Sequence, residues 1–193
     1  MSRWEPNARG RLEQAAAELF ADRGYDQTTV ADIAERAGLT ERTFFRHFSD
    51  KREVLFSGQD RFQDVFVSAV TAAPATATPV AAVEAGLLAA GDLLQGRAEL
   101  APQRQTIIDA HPELQERELI KMARLGTAVA AALRDRGVAE PAATLTADTG
   151  IAVLRIAFTR WLAEGVARPL PGVMQETLGE LAALYAPAPA SSR

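Results

Sequence analysis

With 193 residues, 48% of them apolar and 24% charged, the chain is sized for one generous domain or a compact domain with an appendage, and that balance excludes a disordered or fibrous protein. No apolar run reaches the ~18 residues of a membrane span, no apolar core follows the arginines of MSRWEPNARGRLEQ as a secretory signal requires, and the lack of cysteine excludes disulfide scaffolds and thiol chemistry. The net charge of −4 argues against a nonspecific nucleic-acid coat and leaves room for a local basic patch.

Thirty-nine alanines favour helix, and the apolar spacing reads as helix almost throughout. Leu12, Ala15, Ala16, Leu19 and Phe20 mark the buried face of a first helix, which Gly24 stops. Thr29, three before Asp32, opens a short second helix as a variant of the capping box, and Gly38 ends it. Thr40 caps a third helix carrying Phe44 and Phe48. Asp50 caps a fourth, expected to run from Lys51 to about Thr71. The segment AAPATATP, 72–79, is an irregular connection, and Pro79 opens a helix lasting to about Gln95. Pro102 and Pro112 punctuate the next segments. A long helix is expected from Pro112 to Arg136, ended by Gly137, and another from Pro141 to about Glu164, ended by Gly165. RPLPG, 168–172, reads as a turn, 173–185 as the last helix, and 187–193 as a flexible tail. Strand-like alternation is absent, so the fold class is all-α.

The run IAVLRIAF, 151–158, is apolar around nearly its whole circumference and needs cover on more than one side. Two readings stand side by side. The helix sits in the core of its own chain, or it joins the last helix in a four-helix bundle with a second copy. Trp161, Leu162, Met174, Leu178, Leu181 and Tyr185 are the residues for the second reading. Arg155 interrupts the apolar run and calls for a partner, either an acid such as Asp148 or Asp109, or a ligand.

Residues 29–51, TVADIAERAGLTERTFFRHFSDK, have the layout of a helix-turn-helix, with Gly38 in the tight turn. Phe44 and Phe48 account for the core face of the second helix, and Phe45 does not share it. Residues 40–52 carry four basic side chains against two acids in an otherwise acidic chain. A major groove admits such a helix, and its first residues read base edges. Arg42 can bond guanine O6 and N7, Thr43 can touch a thymine methyl, and Arg46, His47 and Lys51 can meet phosphates. Thr28, Thr29 and the start of the first short helix can take another phosphate, and Thr40 stands at the start of the second. Glu41 can accept from cytosine N4 or pair with an arginine; pairing is the expectation.

The match then becomes dense. Ala15-Ala16, Leu19-Phe20, Gly24-Tyr25, Thr28-Thr29-Val30, Ile33-Ala34, Ala37-Gly38, the run from Thr43 to Phe48, Lys51 and Leu55 resemble the DNA-binding domain of TetR/AcrR-type transcriptional regulators. The resemblance implies a helix-turn-helix DNA-binding domain at 1–51, a helical ligand-binding and dimerisation body at 52–186, and a homodimer on a palindromic operator. It also favours the two-copy bundle. The family usually has Tyr where this chain has Phe45, so a phosphate contact made through that hydroxyl is in doubt. Residues 104–138 are similar to the bodies of a subgroup that binds acyl-CoA-like ligands. That similarity implies a long apolar effector with an anionic head near Arg104 or Arg155. Phe62, Phe66, Leu88, Met122, Leu125 and Phe158 could line its cavity or be close-packed core.

The expected function is a ligand-responsive transcriptional regulator, a repressor before an activator. The rivals are a helical ligand-binding protein that does not read DNA and an enzyme. His47 and His111 are the only imidazoles, 64 positions apart, and no phosphate loop, dinucleotide fingerprint, zinc-protease or nucleophile-elbow motif occurs. His111, just before Pro112, reads as a turn residue. No cofactor and no metal are therefore expected. Nineteen arginines against two lysines point to a GC-rich bacterial genome, and to a cytoplasmic protein.

Overall fold

The computed structural model describes residues 7–184. Tyr185 and the tail at 187–193 lie outside them. The order is α1 (Ala8–Arg23), α2 (Val30–Arg36), α3 (Glu41–His47), α4 (Lys51–Leu55), α5 (Gln59–Ala72), α6 (Pro79–Gln95), a 3-10 turn (Ala98–Leu100), α7 (Ala101–Ala110), α8 (Pro112–Asp135), α9 (Ala142–Ala163) and α10 (Leu170–Leu184). The fold is all-α, and no strand occurs among the described residues. Among them no helix is long and apolar enough to cross a membrane.

The chain packs as two compact units. One is Met1–Gln59 with Leu100–Glu118; the other is Asp60–Glu99 with Leu119–Arg193. The first unit is built on the apolar stripe of α1. Leu12, Ala16 and Leu19 are buried against Ile33 of α2 and Phe44 of α3, and Ile107, Ile108 and Leu114 join the same core. Its helices begin where the side chains direct. Asn7, Thr29, Thr40 and Asp50 each accept a backbone N–H from the first turn of the helix they precede.

The second unit depends on absent side chains. A Cβ on Gly86 of α6 would stand 2.5 Å from the Phe66 ring, and one on Gly150 of α9 would stand 2.4 Å from Val83. Helix axes approach closely there because nothing projects between them. Trp161 of α9 is fully buried, and its indole N–H donates to the Arg168 carbonyl at 2.8 Å.

Two element boundaries differ from the sequence reading. The helix expected from Lys51 to Thr71 is broken at residues 56–58. Phe56 turns into the core of the first unit, and Gly58 takes φ +86°, a left-handed value that ordinary side chains resist. RPLPG is only partly a turn, because α10 already begins at Leu170. Pro171 falls in its first turn, where a missing N–H leaves no helical bond unmade.

Trp161→Ala should lower unfolding stability by about 3–5 kcal/mol, as truncation of a buried aromatic does. The shift of the urea midpoint at unchanged slope measures it.

Candidate nucleic-acid interface

Helices α2 and α3 have seven residues each, too short to stand alone in water. Their geometry is imposed by what holds them. Gly38 at φ +65° makes the turn, with Gly38 N–H bonded to the Glu35 carbonyl at 2.9 Å and Leu39 N–H to the Ala34 carbonyl at 2.8 Å. The Arg11 guanidinium of α1 caps the Ala37 carbonyl behind it. Arg36 of α2 pairs with Glu18 of α1 at 3.1 Å. From the other side Phe44 and Phe48 anchor α3 in the core, their rings 5.4 Å apart.

With that face fixed, α3 presents Glu41, Arg42, Phe45 and Arg46 to solvent, while Thr43 and His47 are half-buried. Neither Arg42 nor Arg46 has an ion-pair or hydrogen-bond partner among the described residues, so both guanidinium groups are available to an anion or a base edge. The pairing expected of Glu41 with an arginine is not made among the described residues. Thr40 spends its hydroxyl on the Thr43 N–H at 3.2 Å and on the Thr43 hydroxyl at 3.0 Å.

Three further residues read as phosphate contacts are used inside the unit. Thr28 is buried, and its hydroxyl donates to the Gly24 carbonyl at 2.8 Å. Thr29 is exposed, yet its N–H and hydroxyl both donate to the Asp32 carboxylate, at 2.8 and 2.6 Å. Those bonds hold the Asp32 carboxyl below its ordinary pKa. The start of α2 thus already holds a carboxylate, whose charge Arg23 meets at 3.5 Å. The Lys51 ammonium donates to the carbonyls of Tyr25 at 2.8 Å and Thr28 at 3.0 Å and lies 4.2 Å from the centre of the Tyr25 ring. It gathers the α1–α2 turn.

His111, between α7 and α8, has its Nδ1 2.7 Å from the Ile107 carbonyl and its Nε2 3.1 Å from Asp26 Oδ1. Both partners are acceptors, and only the imidazolium donates from both nitrogens. The Ile107 carbonyl first, and the Asp26 carboxylate after it, raise the His111 pKa above its ordinary 6.5. The turn reading of His111 does not contain this tie, since Asp26 lies 85 positions away.

The structure scatters the residues proposed for a ligand cavity. Phe62, Phe66 and Leu125 are buried; Leu88, Met122 and Phe158 are half-buried. Arg155 is exposed, with no ion pair among the described residues, so the expected acid partner is absent. Arg104 is committed to the Leu55 carbonyl at 2.8 Å and to Glu118 at 3.1 Å. None of these eight lines the cleft of about 140 Å³ bounded by Val80, Val83, Leu145, Thr146, Thr149, Gly150 and Leu178. Of the residues assigned to a subunit interface, Trp161 and Met174 are fully buried in their own unit and cannot meet a second copy; Leu162, Leu178 and Leu181 are half-buried. The outward apolar residues of α9 are Leu145 and Ile156, 62% and 52% exposed. Their spacing of about three helical turns is the sequence signal that could have found them.

Lys51→Ala should cost about 1.5–3 kcal/mol of stability, the range for hydrogen bonds to a charged group. A chemical denaturation curve tests this. His111 should contribute stability fully below about pH 6.5 and lose it as pH rises through its raised folded value. The difference in urea midpoint between the native chain and His111→Gln should thus be larger near pH 6 than near pH 8.5.

Residues 13–57 match the family model described as "Bacterial regulatory proteins, tetR family". The HTH-type transcriptional regulator TcmR of Streptomyces glaucescens is 40% identical over 75 residues, 39% of this chain and 33% of that protein. The HTH-type transcriptional activator FasR of Mycolicibacterium smegmatis is 42% identical over 70 residues, 36% of this chain and 32% of that protein. The chain thus spans about a third of the length of these curated relatives. Over nearly its whole length it shares its fold with Thermus thermophilus FadR, a TetR-family transcriptional repressor solved in complex with lauroyl-CoA. The TM-score is 0.60 at 22% identity, covering 96% of this chain and 98% of that one. The three helices built around Phe44 thus fall within a match to the TetR-family model, on a chain that shares its fold with a TetR-family repressor of known structure.

Proposed function

We propose that the protein is a ligand-responsive transcriptional regulator that binds a palindromic operator as a homodimer, through residues 1–51, and is released by a small-molecule effector held in residues 52–186. The observation that carries this reading is α3: a short helix pinned from behind, with Arg42 and Arg46 unpaired on its outer face and Phe45 exposed between acid and base. Arg42 reads a guanine, Arg46 and His47 meet phosphate or a base edge, and Thr43 approaches the bases. Positioned donors of this kind serve recognition and need no catalytic group, so the protein acts as a regulator and not an enzyme.

The second copy is accommodated on the outer faces of α9 and α10. Leu145, Ile156 and Leu184 are exposed there, and Leu178 and Leu181 flank them half-buried. An apolar stripe of this kind is what an intersubunit four-helix bundle requires. An apolar, acyl-type effector is the reading favoured by the lauroyl-CoA complex of a protein with the same fold. It must bind the state that releases DNA more tightly than the state that holds it. Repression is supported by the same neighbour, while activation is supported by the likeness of the head to FasR. A cytoplasmic setting fits an operator as target.

Selection of duplexes from a randomised library by the full chain should enrich an inverted repeat with half-site centres ~34–36 Å apart, one turn, or a multiple of it. Arg42→Ala should bind that site about 1–3 kcal/mol more weakly and relax preference at one base pair of each half-site. Equal weakening on every sequence would show that Arg42 does not read a base.

A further inference from the structure

Helix α8 keeps an apolar face in water. Leu119 is 65% and Ile120 46% exposed, and Ala123, one turn on, is exposed with them. Glu116, Arg124 and Thr127 are exposed as well. Counted from Glu116 these residues fall at i, i+3, i+4, i+7, i+8 and i+11, the spacing of one continuous helix face. The helix does not need this face for its own chain. Leu125, Val129 and Leu133 supply another, and all three are fully buried.

The charges that bracket the apolar residues say what covers them. Neither Glu116 nor Arg124 has an ion pair or hydrogen bond among the described residues. Neither meets an opposite charge three or four positions along its own helix, where such pairs form. They cannot pair with each other, because the helix sets them ~12 Å apart. Yet they stand four positions before and four after Ile120, so the face is its own complement. Turned about a two-fold axis at Ile120, it puts Glu116 opposite Arg124 of the partner subunit, twice over. A parallel pairing would set acid on acid and base on base.

We infer that the outer face of α8 is a self-complementary contact at which two copies of this chain meet antiparallel, with Ile120 on the two-fold axis. The inference rests on the reading of the chain as a homodimer and adds α8 to the faces of α9 and α10. Leu119, Ile120 and Ala123 supply the apolar centre, and the charges at the rim fix the register.

The test uses the full chain, which has no cysteine of its own. A disulfide needs Cα atoms within ~7 Å, and a residue on the axis meets itself. Under a mild oxidant Ile120→Cys should form a covalent dimer. Thr127→Cys, ~10 Å along the helix from the axis, should not. In sedimentation equilibrium Glu116→Arg and Arg124→Glu should each weaken self-association about tenfold. The double variant restores opposite charges across the axis and should associate like the native chain. Absence of a covalent dimer at 120, equal cross-linking at 127, or a double variant no better than the single ones overturns the inference while the homodimer reading stands. A native chain that sediments as a monomer at every concentration overturns both.

Discussion

A helix of seven residues has too few internal bonds to hold its own shape, and this constraint governs the first unit. Isolated helices are marginal below about 12–15 residues. Both α2 and α3 therefore exist only because something outside them fixes each end and one face. Thr29 and Asp32 close the start of α2 reciprocally, Thr40 closes the start of α3, and Gly38 permits the bend between them. Phe44 and Phe48 supply the face. Phe44 and Phe48 lie on the side away from solvent. The outer face of α3 is thus left with no structural duty, and its residues are available for recognition.

The same economy explains where the charges go. The acids of the first unit largely hold basic groups or helix ends: Glu18 with Arg36, Asp32 with Thr29, Asp50 with Arg52, Glu118 with Arg104. Lys51 is drawn inward to three carbonyls of the α1–α2 turn. Arg42 and Arg46 are exceptions, and they stand on one helix. A net charge of −4 is therefore no obstacle to an anionic partner, because the field that partner meets at short range is that of unpaired guanidinium groups.

What the sequence made legible was local. Caps and stops are written in neighbouring residues, so the start of α2, α3, α4 and α6 and the glycines at 24, 38, 137 and 165 were found where they stand. The break after α4 was hidden, because Phe56 continues a plausible apolar stripe and only its burial in a different core reveals the bend. The internal bonds of Thr28 and Lys51 were hidden for a related reason. A hydroxyl or ammonium near a helix-turn-helix looks free until the carbonyls that claim it, about 25 positions away for Lys51, are placed in space. Trp161 and Met174 lie on apolar stripes, but a stripe does not say whether its own chain or another covers it. Arg155 called for a partner only on the assumption that it pointed inward.

The exposed apolar residues of α9 carry that last question further. Leu145 and Ile156 are eleven positions apart, close to three full turns, so they fall on one face. Beside them α9 and α10 are tied at one end by Arg160, which reaches Glu164, Glu176 and Glu180, and by Arg168, which reaches Glu164 and Glu176. Each such pair is weak alone when exposed. Five acid-base contacts shared by two arginines nevertheless limit how far the helix ends can splay. Above that end Gly91 lets Met174 pack against α6 with no intervening side chain. The two helices are therefore braced together at that end, beside the exposed apolar residues of α9. Bracing of this kind keeps the exposed apolar face of α9 in a fixed relation to α10.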